Sequence, residues 1–392
     1  MSPLSLRPAV AALAALVLAA CATARPPEPE PRPLPPAAPA PPMTPSLPPE
    51  PPGPRVLELS ALDGWGAEDH AAAFAAWRAV CGVSRDPGLK AACARAQEAP
   101  PLGAEASRTF FEASFLALQS PPEGTLTAYF APEYEARREP DTEFSAPVRP
   151  KPADLKTVDG GLLDPAQAGK PAVALDLGDG LFAPYPDRAS IETRPPDAAL
   201  AWMRPEELFF LQIQGSGVLT FKDGRRMKAL YAANNGRPFV GVANPMRDQG
   251  LLPAQNTSGD AIREWLAAHR GPEADAIMRL NPRYAFFNLG TDDGREPVGA
   301  AGIPLPAGRA IAVDPASNPL GALFWIDGEA PILAGAFPTY RRLVTALDVG
   351  GAIKGEVRAD LYLGTGAEAG AEAGRVRHRL RMYRLIPKEA AP

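Results

Sequence analysis

The sequence predicts a mainly β protein with peripheral helices, built from two β-rich units; an α+β fold is the alternative. Three observations lead to this fold class. After Asn281-Pro282 the chain consists of short β-type runs between glycine and proline turns, which favours a small barrel. Residues 132–285 are rich in proline and mixed in pattern. Helical spacing of apolar residues is clearest before residue 118, near one end of the folded part.

The N-terminus has the layout of a lipoprotein signal peptide over residues 1–21. Arg7 supplies a positive charge, and the apolar run that follows is too short to cross a bilayer as a mature helix. The run ends in Leu18-Ala19-Ala20-Cys21, which resembles the bacterial lipobox, and Cys21 is the predicted lipidation site. An ordinary signal peptide with a chance cysteine is the alternative. Because Ala22 is not aspartate, we expect the outer membrane as the destination.

Residues 22–55 form a predicted linker, because proline, alanine and glutamate dominate it and core-forming residues are scarce. The rest of the chain, from residue 56, is long enough for one large or two ordinary domains. It contains no second apolar run of membrane-spanning length. The net charge of -5 argues against a nucleic-acid partner.

Cysteine and histidine usage argues against a metal site, and no cofactor is expected either. Cys81 and Cys93 flank a Pro-Gly break between two helical patterns, and a disulfide between them is predicted, with two buried free thiols as the alternative. No Cys-x-x-Cys pattern is present, and the three histidines are scattered along the chain.

The elements before the C-terminal part follow from local patterns. Helical spacing covers residues 68–97, broken at Asp86-Pro87-Gly88, and residues 104–118. Strands are predicted at 125–130, 209–214 and 218–221, and Lys222-Asp223-Gly224 is a hairpin turn into a strand at 227–231. Ser258 is a predicted N-cap of a helix that ends at His269.

The C-terminal part is predicted as short strands at 310–313, 323–326, 342–347, 359–363 and 381–386. Several arginines lie in or near the last strand. There, alternation predicts Leu380 and Met382 inward and Arg381 and Tyr383 outward; a substrate-binding strip of arginines is the alternative interpretation.

Two aspartates flank a glycine-rich turn between two of these strands. Asp348 ends one β-type run, Gly350-Gly351-Ala352-Ile353-Lys354-Gly355 follows, and Asp360 opens the next run. Glycine permits backbone conformations that other residues resist, so a tight connection is expected. We expect the turn to bring both carboxylates into one cleft, which makes them the first candidates for catalysis.

Several motifs together resemble one known family. The combination of Asp314, Asp348 and Asp360 resembles the pattern of the three-aspartate domain, which is a double-psi β-barrel. Further segments fit the membrane-bound lytic murein transglycosylase A family, and they lie at 125–132, 208–217, 231–236, 281–287 and 364–370. The resemblance implies a barrel formed by residues 56–131 and 286–392. Residues 132–285 would form an inserted β-rich domain that makes the other wall of a glycan groove.

The resemblance also implies cleavage of the β-1,4 bond between N-acetylmuramic acid and N-acetylglucosamine in peptidoglycan, leaving a 1,6-anhydro end. Asp360 then acts as acid and afterwards as base. Burial and a neighbouring negative charge raise a carboxyl pKa, so Asp348 is assigned a supporting role, with capping of the glycine turn as the alternative. Asp314 precedes a proline in a turn and is interpreted as structural.

The candidate substrate-binding residues are Thr127, Tyr129, Gln212, Gln214 and Lys354. Tyr129 is expected to stack on a sugar or to lie in a core. The two glutamines are expected to share one face of a strand and to bind hydroxyl and N-acetyl groups, with a solvated sheet face as the alternative.

The expected partners are peptidoglycan glycan strands, the outer membrane through the lipid anchor, and proteins of cell-wall synthesis or hydrolysis. Two other functions remain open. One is a hydrolysing muramidase in which Asp348 activates water, and the other is a non-catalytic peptidoglycan-binding lipoprotein.

Overall fold

The computed structural model describes residues 55–388 except residues 122, 197, 254 and 334. The predicted signal peptide, Cys21 and nearly all of the linker lie outside the described residues. No helix in the described part of the chain combines the length and the apolar character needed to cross a membrane.

The regular elements are numbered in chain order. The strands β1 to β17 are Val56–Leu57, Phe115–Gln119, Gly124–Ala131, Glu133–Ala136, Ala146–Val148, Leu155–Asp159, Pro171–Gly178, Leu181–Pro184, Ala201–Met203, Ser216–Phe221, Arg226–Asn234, Ala285–Thr291, Ala310–Val313, Leu323–Pro331, Thr339–Val349, Arg358–Thr365 and Arg377–Pro387. The α-helices α1 to α9 are His70–Val80, Pro87–Glu98, Ala104–Ser114, Arg188–Glu192, Pro205–Gln214, Ala243–Asp248, Gly259–Ala268, Pro272–Arg279 and Ala367–Ala373.

Six strands close into a barrel in the order β17, β14, β15, β13, β16 and β3, and β3 pairs back to β17. The short strands β2 and β1 extend the sheet beyond β17. The barrel interior holds buried side chains from every one of these strands, among them Leu126, Ile311, Phe324, Val344 and Leu361. The predicted mainly β fold class, a double-psi β-barrel with an inserted domain, is confirmed.

A helical layer covers the barrel next to β14 and β17. Trp77 of α1 and Phe111 of α3 pack with Phe115 and with Trp325 of β14 in one buried aromatic cluster. The predicted helices in this region are confirmed up to Ser114. The helix predicted over residues 104–118 is wrong at its end, because Phe115–Gln119 pairs with β17 as strand β2.

The second sheet has the order β12, β11, β10 and β4. The predicted hairpin between β10 and β11 is confirmed, and β10 pairs with β4 in parallel. Strand β12 pairs with β11, so the predicted domain boundary between residues 285 and 286 falls inside β12.

The strand predicted at residues 209–214 is wrong. These residues form the end of helix α5, which begins at Pro205 with two glutamates in its first turn and ends before Gly215, whose φ is 88°. Leu208 and Leu211 lie at helical spacing and are buried against the second sheet. A short apolar run does not distinguish a buried strand from a buried helix by periodicity, and here tertiary packing selects the helix.

Two other local predictions are confirmed. The side chain of Ser258 accepts a hydrogen bond from the Ala261 amide and caps α7, and His269 follows the last residue of that helix. Along β17, Leu380 and Met382 are buried, whereas Arg381 and Tyr383 are partly exposed.

The predicted disulfide between Cys81 and Cys93 is present and links the short turn after α1 to α2. Both cysteines are buried in the same core cluster.

We expect replacement of both cysteines by alanine to lower the free energy of unfolding by about 3 kcal/mol, because the bond closes a loop with a sequence separation of 12. Denaturant unfolding followed by circular dichroism measures the change. Reductant should destabilise the wild type to a similar degree and leave the double variant unaffected. Equal unfolding midpoints for the oxidised wild type and the double-alanine variant would contradict the prediction.

Candidate active site

One row of directly paired residues crosses the barrel. Asp348 of β15 and Asp360 of β16 both pair with Ala312 of β13, which lies between them. Asp360 pairs in turn with Thr127 of β3, and Thr127 pairs with Arg377 of β17. Residues paired directly across strands project from the same face of a sheet. This row of paired residues, called the aspartate row below, therefore presents its side chains together.

The aspartate row lies on the outer face of the barrel. Leu126 and Leu361, each one residue away along its strand, point into the barrel core. The expectation that the glycine turn brings Asp348 and Asp360 into one cleft needs correction. Strands β15 and β16 are not neighbours, and pairing of both with β13 places the two carboxylates on one face.

Asp360 is enclosed by its neighbours, although part of it stays accessible to solvent. The hydroxyl of Thr127 donates a hydrogen bond to Oδ1 of Asp360. Burial raises the pKa of Asp360 above its ordinary value, and the charge of Asp348 acts in the same direction. The Thr127 hydrogen bond and the Arg358 charge oppose this increase in pKa without cancelling it. The carboxyl group therefore keeps its proton to a higher pH than an exposed aspartate does.

Arg358 is a residue of this site that the sequence reasoning missed. Its guanidinium donates to Oγ1 of Thr127 at 2.9 Å and to the carbonyl oxygen of Ala359 at 2.6 Å. Because a lone pair of the Thr127 hydroxyl accepts from Arg358, the hydroxyl hydrogen is directed toward Asp360. Arg358 lies two residues before Asp360 on one strand, and this alternation places both on the same face. That two-residue spacing is the feature of the sequence from which Arg358 could have been predicted as a site residue.

Asp348 is held by donors from two other parts of the chain. Tyr129 donates its hydroxyl to Oδ2 at 2.7 Å, and the Ala300 amide donates to Oδ1 at 2.9 Å. Within the described residues, no amide of the glycine turn donates to Asp348, so the turn-capping alternative is wrong.

Tyr129 packs against Tyr362, with ring centroids 5.2 Å apart. Burial, followed by the charge of Asp348, raises the pKa of Tyr129 well above its ordinary value. The hydroxyl therefore stays protonated and remains a donor to Asp348. These contacts favour a role in holding Asp348 over stacking on a sugar.

Asp314 joins two loops beside the site. Its side chain accepts from the Gly355 amide at 2.9 Å and from the Ala316 amide at 3.2 Å. The Gly355 hydrogen bond is the main cause that lowers the pKa of Asp314. Lys354 is exposed, and its Nζ lies 3.8 Å from Asp314 Oδ1. The contacts of Asp314 favour the structural interpretation.

Gln212 and Gln214 lie on helix α5 and not on a strand, so the argument that they share one strand face does not hold. Gln212 is buried and donates to the Ala285 carbonyl oxygen at 3.2 Å. Gln214 accepts from the Phe130 amide at 3.3 Å, which ties α5 to the end of β3.

A cavity lies where the barrel meets the second sheet. Ala131 and Thr365, at the ends of β3 and β16, line it from the barrel side. Ser216 and Lys228 line it from the second sheet, and Glu296 lines it from the segment that follows β12. The same two barrel strands carry Thr127 and Asp360, so the cavity and the aspartate row lie along one pair of strands. Across the described residues, no group of three or more histidine, cysteine or acidic side chains is placed to hold a metal ion.

Comparisons with known proteins match this architecture. A family model described as the MltA specific insert domain matches residues 125–288, and a model described as the 3D domain matches residues 309–386. The crystal structure of a membrane-bound lytic murein transglycosylase from Agrobacterium tumefaciens superposes with a TM-score of 0.76 at 30% identity. The alignment covers 86% of this chain and 98% of that chain.

The chain belongs to the membrane-bound lytic murein transglycosylase A family. The Vibrio cholerae protein named membrane-bound lytic murein transglycosylase A is 31% identical over 268 residues, which are 66% of this chain and 64% of that relative. The match therefore spans less than two thirds of this curated relative. The crystal structure of Escherichia coli MltA with bound chitohexaose is similar at 26% identity and a TM-score of 0.61, covering 82% of this chain and 90% of that chain.

Proposed function

We propose that this protein is a lytic transglycosylase that cleaves the β-1,4 bond between N-acetylmuramic acid and N-acetylglucosamine in peptidoglycan. The observation that carries the proposal is the enclosed Asp360, which accepts a hydrogen bond from Thr127 and whose pKa is raised by burial. Membership of the family supports the substrate class, since its relatives are named as murein transglycosylases.

The first step is protonation of the glycosidic oxygen by Asp360. Since Oδ1 of Asp360 accepts from Thr127, the transferable proton is carried by Oδ2. Its transfer lets the bond between the muramic acid C1 and the glycosidic oxygen break. The N-acetylglucosamine leaves with a free 4-hydroxyl, and an oxocarbenium-like centre develops at C1.

The second step closes the anhydro ring. The 6-hydroxyl of the same muramic acid residue attacks C1 and forms the C1–O6 bond, and the ionised Asp360 takes up the hydroxyl proton. The enzyme returns to its starting state without consuming water. One carboxyl group is enough for both transfers, whereas a hydrolytic glycosidase requires a second carboxylate to activate water or to form a covalent intermediate.

Asp348 supplies a fixed negative charge near the developing positive charge at C1. Tyr129 and the Ala300 amide hold its two oxygens in place, which favours an electrostatic role over activation of a water molecule. Strands in a sheet are spaced about 4.8 Å apart, so the Cα atoms of Asp348 and Asp360 are separated by roughly 10 Å across β13.

The proposal extends to architecture and location. Residues 56–131 and 286–392 would form the catalytic barrel domain, and residues 132–285 would form the inserted domain across a glycan groove. A lipid on Cys21 would hold the protein at the periplasmic face of the outer membrane. Support comes from the lipobox-like sequence and from relatives named as membrane-bound. Proteins of cell-wall synthesis or hydrolysis are the proposed partners.

Mass spectrometry of fragments released from purified sacculi tests the activity. We expect muropeptides that end in 1,6-anhydro-muramic acid, because the internal hydroxyl replaces water as the nucleophile. Fragments heavier by one water would instead indicate a muramidase on the same fold. Saturable binding to sacculi without released fragments would indicate a non-catalytic binding lipoprotein.

A further inference from the structure

Arg377 is an exposed cation at the end of the aspartate row. It pairs with Thr127, on the side opposite to Ala312 and Asp348. Within the described residues its guanidinium forms neither a hydrogen bond nor an ion pair. Arg379, two residues further along the same face of β17, has Glu123 as an ionic partner at 3.8 Å. The two arginines therefore share a strand and a face, but only the charge of Arg379 is balanced by a neighbouring carboxylate.

The charge balance at this end of the row is positive. The guanidinium of Arg358 donates to carbonyl oxygens and to Thr127, and it has no carboxylate within ion-pair distance among the described residues. Burial lowers the pKa of Arg358, the charge of ionised Asp360 opposes this decrease, and the nearby charge of Arg377 adds to it. When Asp360 is protonated, as the first step requires, neither arginine faces a compensating anion.

Arg377 lies close enough to Asp360 to contact a sugar bound there. Two strand spacings separate the Cα atoms of Arg377 and Asp360, roughly 10 Å. A long side chain from that position can reach a substituent of the sugar bound at Asp360. Arginine is well suited to bind a carboxylate substituent, because its planar guanidinium can donate two parallel hydrogen bonds to one carboxylate.

We propose that Arg377 binds a carboxylate carried by the muramic acid residue next to the cleaved bond. This inference rests on the proposed function. Two sources supply the same chemistry: the acidic residues of the peptide stem, and the lactyl group when the stem has been removed. Arg377 then gives the enzyme a preference for charged peptidoglycan over a neutral glycan.

Three substrates distinguish the two possible sources of the carboxylate, the peptide stem and the lactyl group. They are glycan strands with peptide stems, the same strands after an amidase has removed the stems, and stem-bearing strands whose carboxylates are converted to neutral amides. We expect the wild type to cleave the charged strands with a kcat/KM about tenfold higher than the neutral strands. In Arg377→Gln this preference should fall to near parity through an increase in KM. Arg377→Lys should keep part of the preference.

Arg379→Gln is the matched control and should retain the wild-type preference. A loss in Arg377→Gln on the stem-free strands alone identifies the lactyl carboxylate, and a loss on the stem-bearing charged strands alone identifies the stem. A loss on both shows that Arg377 binds whichever carboxylate the muramic acid residue carries. Equal losses on all three substrates, or the same loss in Arg379→Gln, would overturn the inference. Thermal unfolding of each variant should match the wild type, because both arginines are exposed.

Binding separates this inference from the proposed function. Affinities for the three substrates are measured with Asp360→Asn, alone and combined with Arg377→Gln. A charge preference that disappears only with Arg377→Gln supports the inference even when the wild type releases no anhydro product. Absence of the preference overturns the inference, whether or not the wild type is active.

Discussion

Asp360→Asn should lower the release of anhydro-muropeptides from sacculi by about 10²–10⁴-fold, the usual contribution of a general acid and base. Asparagine has nearly the same shape and accepts the Thr127 hydrogen bond, but its amide is too weakly acidic to transfer a proton to the glycosidic oxygen. The same variant should still bind glycan, so KM or the dissociation constant changes little. Product release is measured by chromatography and mass spectrometry.

The stability of Asp360→Asn provides a second test with a definite sign. The folded-state pKa of Asp360 is raised, chiefly by burial, so its ionised form is disfavoured in the folded protein. Below the ordinary aspartate pKa both proteins are neutral at this position, and their stabilities should agree. As pH rises through the folded-state pKa, the wild type alone loses stability. The variant should therefore be at least as stable as the wild type at neutral pH.

Asp348→Asn is the matched control, because Asp348 lies on the same row and is held by two donors. We expect a loss of about tenfold in kcat, smaller than that of Asp360→Asn, because Asp348 only stabilises charge. Equal losses in the two variants, or undiminished activity in Asp360→Asn, would contradict the assignment of Asp360 as the acid.

Arg358→Met should lower kcat/KM by about 10- to 100-fold, because the Thr127 hydroxyl loses the donor that fixes its direction. The charge of Arg358 opposes the increase in the pKa of Asp360, so its removal raises that pKa further. Activity requires protonated Asp360 and falls as pH rises through its pKa. The alkaline limb of the pH profile should therefore move to higher pH in the variant.

Thr127→Val tests the same hydrogen-bond chain, from Arg358 through Thr127 to Asp360, without removing the partly buried cation. It deletes the hydrogen bond that lowers the pKa of Asp360, so its alkaline limb should also move to higher pH. Arg358→Lys should restore part of the rate, because it keeps the charge. The role of this hydrogen-bond chain would be ruled out if the alkaline limb stayed in place or moved to lower pH in both Arg358→Met and Thr127→Val.

Local signals account for the elements that the sequence predicted correctly. The Ser258 cap, the hairpin turn between β10 and β11, and the alternation of β17 each depend on residues a few positions apart. The strands of the barrel follow from short apolar runs between glycine and proline turns. Such patterns reflect backbone preferences and periodicity, which operate within a single element.

Patterns in the chain are enough to predict the fold class and to select Asp348 and Asp360 as candidates, although the choice of Asp360 as the acid comes from family resemblance. The tertiary structure was needed to show that residues 209–214 are helical and that residues 115–119 form a strand, because each segment takes the conformation that suits the element on which it packs. It also revealed Arg358 and the row through β13. Thr127 and Asp360 are 233 positions apart, and contacts of that range depend on strand register, which no local pattern encodes.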